Sequence, residues 1–347
     1  MKFLPFKQLR LLLPGVVAVA AFGLAFTSYA KELTFGYITP GPDTWYKREV
    51  DGFVWGAKML GIKVVVLNSD YDTQKEVANI DSLITQGVDG MAMHSFNLQG
   101  ASLCAKRCKD ANIPLVLIEN CGPLKGQEVV AAVDFDWPGM GKQYADYMAE
   151  HYPGKKVAEI SGMLDKIGVQ LLNNNMKQRM DELGKNQLVA LRDGKFNPSL
   201  AVNEAQDLVQ SGTKFDILYV FNEDMAAAVI RYLKNEGLLD KYIVIAQNGS
   251  PVGLPLVKNG ELAYTISTSP GWQGLVSVLA LYQNIKGDSK EVNQAIVLPN
   301  IPVTQDVASD KKKVVPWECD PVWIDLTKQY YPKLGVYLPD AADAPKP

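Results

Sequence analysis

Short apolar runs alternate with longer amphipathic segments from residue 33 to residue 286, and this alternation admits few architectures. Runs of that length suit buried strands, and the segments between them repeat apolar residues at helical spacing. The pattern predicts strands at 33–38, 63–67, 90–93, 115–118, 129–133, 157–160, 188–191, 217–220, 243–246 and 262–267. Helices are expected at 44–60, 73–86, 99–111, 139–151, 168–183, 198–210, 226–236, 251–258 and 271–286. Asp43 or Thr44 can cap the first helix, and Thr73-Gln74-Lys75-Glu76 reads as a capping box for the second. Strand–helix repetition implies parallel sheets covered by helices. The halves before and after Asp134 hold similar numbers of units, which predicts an α/β chain of two similar doubly wound, Rossmann-like domains. A single (β/α)8 barrel is the alternative. Beyond residue 302 the alternation stops, and residues 303–347 read as an irregular wrapping tail with a loose end.

The first thirty residues read as an export signal. Lys2, Lys7 and Arg10 precede the apolar stretch 11–26, and Ser28-Tyr29-Ala30 offers a small-x-small cleavage site. An uncleaved membrane anchor is the alternative, although Pro14-Gly15 interrupts a stretch that is short for a span. Losing those three cations takes the formal charge from −3 to near −6. Lys311-Lys312-Lys313 is the one basic cluster, so no nucleic-acid partner is expected. An exported, periplasmic chain can form disulfides. Cys104, Cys108, Cys121 and Cys319 lack the spacing of a zinc site. Cys104 belongs near the start of its helix, at the same end of the sheet as Cys121, so a Cys104–Cys121 bridge is expected. That leaves Cys108 and Cys319.

Open parallel sheets bind ligands beyond the carboxyl ends of their strands. His94, Glu119-Asn120, Phe221-Asn222-Glu223-Asp224 and Asn248 all stand there. A histidine in such a place is as readily a core residue as a ligand contact. No G-x-S-x-G elbow, P-loop or H-E-x-x-H motif occurs, and His94 and His151 are the only histidines. Glu119 and Asp43 could pair as glycosidase carboxylates, but nothing in their spacing demands it. A non-enzymatic binding protein is expected, with no cofactor and no metal.

Five stretches stand out: Asp43-Thr44-Trp45-Tyr46, Ala111-Asn112-Ile113-Pro114, Asn222-Glu223-Asp224-Met225-Ala226, Asn248-Gly249-Ser250-Pro251 and Asn259-Gly260-Glu261-Leu262. Together they resemble the periplasmic sugar-binding proteins of the ribose and galactose type, the type I periplasmic binding proteins with a LacI-like core. The resemblance spans roughly 33–303 and implies two lobes joined by a three-strand hinge. Crossings are placed near Asp134 to Asp136, at Thr268-Ser269 and at 297–302. Residues 31–135 with 269–297 form one lobe, 136–268 with 298–315 the other, and 316–347 the tail. Trp45 and Tyr46 match the family's stacking pair or else pack at a helix start. Asp43 accepts from hydroxyls or caps. Glu119-Asn120 stands where ribose-type members carry Asp-Arg, Asn248 replaces an Asp, Asn222 matches directly and Thr268 replaces a longer polar residue. Around Gln170 to Asn173 the family's Arg is not found. Asp136 and Trp137 follow the first crossing, and Phe196 and Phe221 are second-lobe aromatics that line the cleft or fill the core. The resemblance implies a monomer that closes on a neutral sugar or polyol, not ribose itself, and presents it to an inner-membrane ABC permease. A sensor of the same fold that signals to a membrane histidine kinase is the alternative.

Overall fold

The computed structural model describes residues 32–95, 97–119, 128–289, 291–310 and 313–346. The leader expected at 1–30 therefore lies outside the described residues. In chain order the elements are β1 (Thr34–Thr39), α1 (Thr44–Met59), β2 (Lys63–Asn68), α2 (Thr73–Gln86), β3 (Gly90–His94), α3 (Leu98–Asp110), β4 (Leu115–Ile118) and β5 (Ala131–Phe135). There follow α4 (Trp137–His151), β6 (Lys156–Ser161), α5 (Ile167–Leu183), β7 (Gln187–Asp193), α6 (Pro198–Gln210), β8 (Ile217–Val220), α7 (Glu223–Asn235), β9 (Ile243–Ile245) and α8 (Gly253–Lys258). The chain ends with β10 (Thr265–Ser267), α9 (Pro270–Lys286), β11 (Gln294–Leu298), β12 (Ile301–Val303), α10 (Val322–Tyr330) and α11 (Pro332–Gly335).

These strands form two open sheets, not a closed barrel. The first is parallel in the order β11-β5-β4-β3-β1-β2, and the second is parallel in the order β7-β6-β8-β9. Bridges Ile245–Tyr264 and Asn248–Ser267 extend the second sheet to β10, which pairs antiparallel with β12. Helices flank both sheets, as right-handed crossovers between parallel strands require.

Local chemistry departs from the expectations in a few places. The cap of α2 is Asp72, not Thr73: its carboxylate accepts from the amides of Gln74 and Lys75 at 2.7 and 2.9 Å. Glu76 is then free to turn inward, where it is fully buried and accepts from Ser95 Oγ at 3.0 Å. Asp43 sits at the N-cap position of α1 without making a side-chain cap. Its carboxylate takes the hydroxyl of Tyr71 instead.

Helices α1 and α9 touch through their backbones. A methyl group on Gly52 would lie 1.8 Å from the carbonyl oxygen of Gly271, and one on Gly274 would lie 2.0 Å from that of Glu49. No rotamer change relieves a clash with backbone. Gly52→Ala is therefore expected to cost about 3 kcal/mol, the upper part of the overpacking range. Urea unfolding would measure it, and a loss below that of a surface Gly→Ala control would mean that the helices can move apart.

The tail packs on α1 and α9, and the end expected to be loose is held as well. Trp323 is fully buried against Trp55, with ring centroids 5.8 Å apart, and Trp272 Nε1 donates to Thr327 Oγ1 at 2.9 Å. Even the end is held, because Trp55 Nε1 and Lys58 Nζ donate to the carbonyls of Pro345 and Lys346, each at 2.8 Å. The aromatic residues of 316–331 lack helical or strand periodicity over most of their length, yet they carry enough apolar area to seal α1 and α9. The chain passes from one sheet to the other between β5 and β6, between β10 and α9, and between β11 and β12. It then crosses a fourth time. Val303 and Val314 belong to the core beneath the second sheet, whereas Trp323 and Ile324 pack on helices of the first.

Candidate functional site

At the carboxyl edge of the first sheet, α1 begins with Trp45 and Tyr46, β3 ends in His94, Glu119 follows β4, and Asp134 precedes the end of β5. Helical spacing places Glu49 one turn after Trp45, on the buried face of α1. Glu49 is fully buried. It accepts from the Tyr37 hydroxyl, and its other oxygen lies 2.9 Å from His94 Nδ1. His94 Nε2 faces Glu119 at 3.8 Å, and Trp45 Nε1 donates to Glu119 Oε1 at 3.2 Å. Trp137 Nε1 and the amide of Phe135 both donate to Asp134 Oδ1 at 2.8 Å. The rings frame these acids: Trp45 lies 6.0 Å from Phe135, Phe135 lies 5.8 Å from Trp137, and Tyr46 stands edge-on to His94 at 4.9 Å.

Burial controls the charges. It would lower the pKa of His94, but Glu49 and then Glu119 reverse the effect and raise it to about 9. Burial pushes Glu119 up to about 8, against the attraction of His94 and with repulsion from Asp134 and Glu49 behind it. Asp134 rises to about 6 by burial, despite its hydrogen bonds from Phe135 and Trp137. An imidazolium clamped between two acids fits this geometry. The same groups could offer three ligand atoms to a cation, since one from each of Glu49, His94 and Glu119 lies within 4.8 Å of the others. Both ring nitrogens already face carboxylates, so the pairing needs no ion.

The second sheet contributes its own edge. Phe196, at φ 54°, packs edge-on to Phe221 with centroids 5.4 Å apart. Asn222 caps α7 by accepting from the Met225 amide at 2.9 Å. Asn248 is nearly buried at φ 127°, a backbone region that L-residues rarely adopt, and its Oδ1 accepts from Thr268 Oγ1 at 3.3 Å. Below it, fully buried Glu223 accepts from the amides of Gly249 and Ser250 at 2.9 and 2.6 Å and from Thr265 Oγ1 at 2.7 Å. This carboxylate fixes the 248–250 turn.

Trp317 joins the two edges. Its Nε1 donates to the carbonyl of Asn248 at 3.2 Å, and its ring meets that of Trp45 at 5.3 Å. One line of contacts therefore runs from His94 and Glu119 through Trp45 and Trp317 to Asn248 and Thr268. Tyr46 lies beside it through His94, and Trp137 through Phe135. Asp43 pairs with Tyr71, Phe196 packs on Phe221 and Asn222 caps α7. Asp136 caps α4 by accepting from the Gly139 amide at 2.9 Å. Asn120 lies outside the described residues.

Glu49, Tyr37, Asp134 and Trp317 escaped the reading of strand ends. An acid in register with Trp45 and Phe53 on an apolar helix face was the available signal for Glu49, and the Pro316-Trp317 pair was the one for Trp317. Of the expected Cys104–Cys121 bridge only Cys104 is described: it is a buried free thiol, as is Cys108, and Cys319 is also free. The side chain of Cys104 turns into the core beneath α3, toward Met91 and Cys108. Cys121 itself lies outside the described residues.

Among the described residues no helix is long and apolar enough to cross a membrane. A family profile described as a periplasmic binding protein domain matches residues 35–289. The chain is similar to the ribose import binding protein of Haemophilus influenzae, with 26% identity over 261 residues, 75% of this chain and 85% of that protein. It is also similar to a xylitol-binding protein of Mycolicibacterium smegmatis, with 24% identity over 290 residues, 83% and 81% of the two chains. Among solved structures, an ABC transporter solute binding protein from Bacillus halodurans with bound myo-inositol superposes with a TM-score of 0.74 at 21% identity, covering 82% of this chain and 98% of that one.

Proposed function

The chain belongs to the periplasmic binding protein domain family, and from that premise we propose that it captures a small neutral sugar or polyol and delivers it to an inner-membrane ABC importer. The observation that carries this reading is the contact line from Glu119 through Trp45 and Trp317 to Asn248, which joins the carboxyl edges of both sheets. Sugars present C–H faces to rings and hydroxyls to fixed donors and acceptors. In this reading Trp45, Trp137 and Phe196 supply rings. Glu119, Asn222, Asn248 and Thr268 supply polar atoms, with Asp43, Tyr46, His94, Asn120 and Asp136 around them. Relatives named for ribose import and for xylitol support a polyhydroxylated ligand, and the import role of the former favours transport over signalling.

The lobes are residues 31–135 with 269–297 and 136–268 with 298–315, and ligand bridging both shifts the population toward closure. The leader at 1–30 is cleaved on export to the periplasm, and the mature chain works as a monomer. A thermal-shift screen of pentoses, hexoses and polyols tests the reading. At a ligand concentration about a hundredfold above Kd, mass action adds about 2.7 kcal/mol, which moves the melting point by roughly 5 °C. A shift with amines or amino acids alone, and with no sugar or polyol, would remove the sugar assignment.

A further inference from the structure

Side chains alternate across β3: Met91 and Met93 face the core under α2 and α3, while Ala92 faces the core shared with α1 and α9. On the α3 side the sequence sets Cys104 and Cys108 one helical turn apart, so both thiols point from one face of that helix. That face meets Met91. Cys104 Sγ lies 3.6 Å from Met91 Sδ, Cys108 Sγ lies 3.7 Å from it, and the two thiols are 3.8 Å apart. All three residues are at most 1% exposed.

These distances define a nearly equilateral triangle of sulfurs whose centre is about 2.1 Å from each. A metal–thiolate bond to an ion such as zinc is about 2.3 Å, so an ion at that centre asks each sulfur to recede by only a small fraction of an ångström. The donors are two thiols and a thioether, a soft set that disfavours calcium and magnesium, and three donors fall short of the four that structural zinc takes. We propose that Met91, Cys104 and Cys108 form a three-coordinate site for a soft monovalent cation, copper(I) in biological settings. Binding replaces the proton of one thiol: copper(I) gains a thiolate bond, the second thiol and the thioether each donate a lone pair, and one proton leaves to solvent. The site remains neutral, which its apolar surroundings favour. The site is separate from the sugar-binding reading, because His94 and Glu119 gather with α1 and not with α3.

The test is anaerobic titration of the reduced full chain with copper(I) held by a chromophoric chelator. The expected result is one ion per chain, a thiolate-to-copper charge-transfer band in the ultraviolet, and no competition from zinc. Met91→Leu, close to isosteric and therefore folded, should lower affinity by about tenfold or more as the soft third donor goes. Cys104→Ala with Cys108→Ala should abolish the band, while Cys319→Ala should leave it intact. Melting curves of each variant separate lost binding from lost fold. The proposal is overturned if the double variant keeps the band and stoichiometry. It is equally overturned if the wild type shows no band although alkylation finds both thiols free, or if mass spectrometry of the exported protein finds Cys104 or Cys108 oxidised in a disulfide.

Discussion

Replacing His94 with leucine is expected to destabilise the chain by about 3–5 kcal/mol at neutral pH, the usual cost of breaking a buried ion pair by removing one partner. His94 is 2% exposed and Glu49 is fully buried, so water cannot replace the lost imidazolium. The pH dependence makes the test specific. The folded pKa of His94 is about 9, against about 6.5 in the unfolded chain. Its contribution is therefore fully present below the unfolded value and is lost as pH rises through the folded one. Burial raises four acids in the same sense, Glu119 and Glu159 to about 8, Glu223 to about 7 and Asp134 to about 6. Each binds its proton more tightly when folded, so each also lowers stability as pH climbs from its unfolded value to its folded one. The wild-type melting temperature should thus be highest near pH 5 and decline toward pH 9. The deficit of the leucine variant should be largest at and below about pH 6.5 and shrink as pH rises toward 9. Melts across that range decide: a deficit independent of pH would mean that His94 is neutral and merely packed.

Truncating Trp317 to alanine should weaken ligand capture roughly thirty-fold, the effect of an interface hot spot worth about 2 kcal/mol. It should also cost about 3 kcal/mol of stability, as removal of a buried tryptophan does. Trp317 is 5% exposed, and it both supports the Trp45 ring and donates to the strained Asn248 carbonyl. Trp317→Phe separates these roles, because it keeps a ring against Trp45 and leaves the Asn248 carbonyl with the Thr268 amide as its remaining donor. Calorimetric titration with the sugar found by thermal shift would give the dissociation constants. If Trp317→Ala loses stability but binds as well as the wild type, the residue is a structural prop and the contact line is not the ligand's wall.

Much of the fold was legible because strand and helix impose different spacings on apolar residues. The strand expected at 115–118 is β4 itself, and the helix expected at 73–86 is α2. The strand ends also led to His94, Glu119 and Asn248, since topology alone sends those positions to one edge of a parallel sheet. What stayed hidden depends on distance through space. Glu49 is an acid on a helix whose partners lie 12, 45 and 70 positions away, and its register with Trp45 and Phe53 marks a buried face without naming those partners. Trp317 sits in a segment without periodicity, so its reach to Trp45 and Asn248 could not be read. The core-facing place of the Cys104 thiol stayed hidden for a related reason, because proximity to a sheet edge does not say which way a helix turns its thiol.

The fourth passage between the sheets changes the mechanics of the proposed closure. Three connections side by side permit bending and also some torsion about their common axis. A further link is pinned at Ser269, whose hydroxyl donates to the Pro316 carbonyl at 2.6 Å, and again by the Arg48–Glu318 ion pair at 3.0 Å. It leaves little slack before the chain is anchored by Trp323. Such a stay limits how far the jaws can gape and steers them along one trajectory. The unliganded receptor then searches a narrower set of postures.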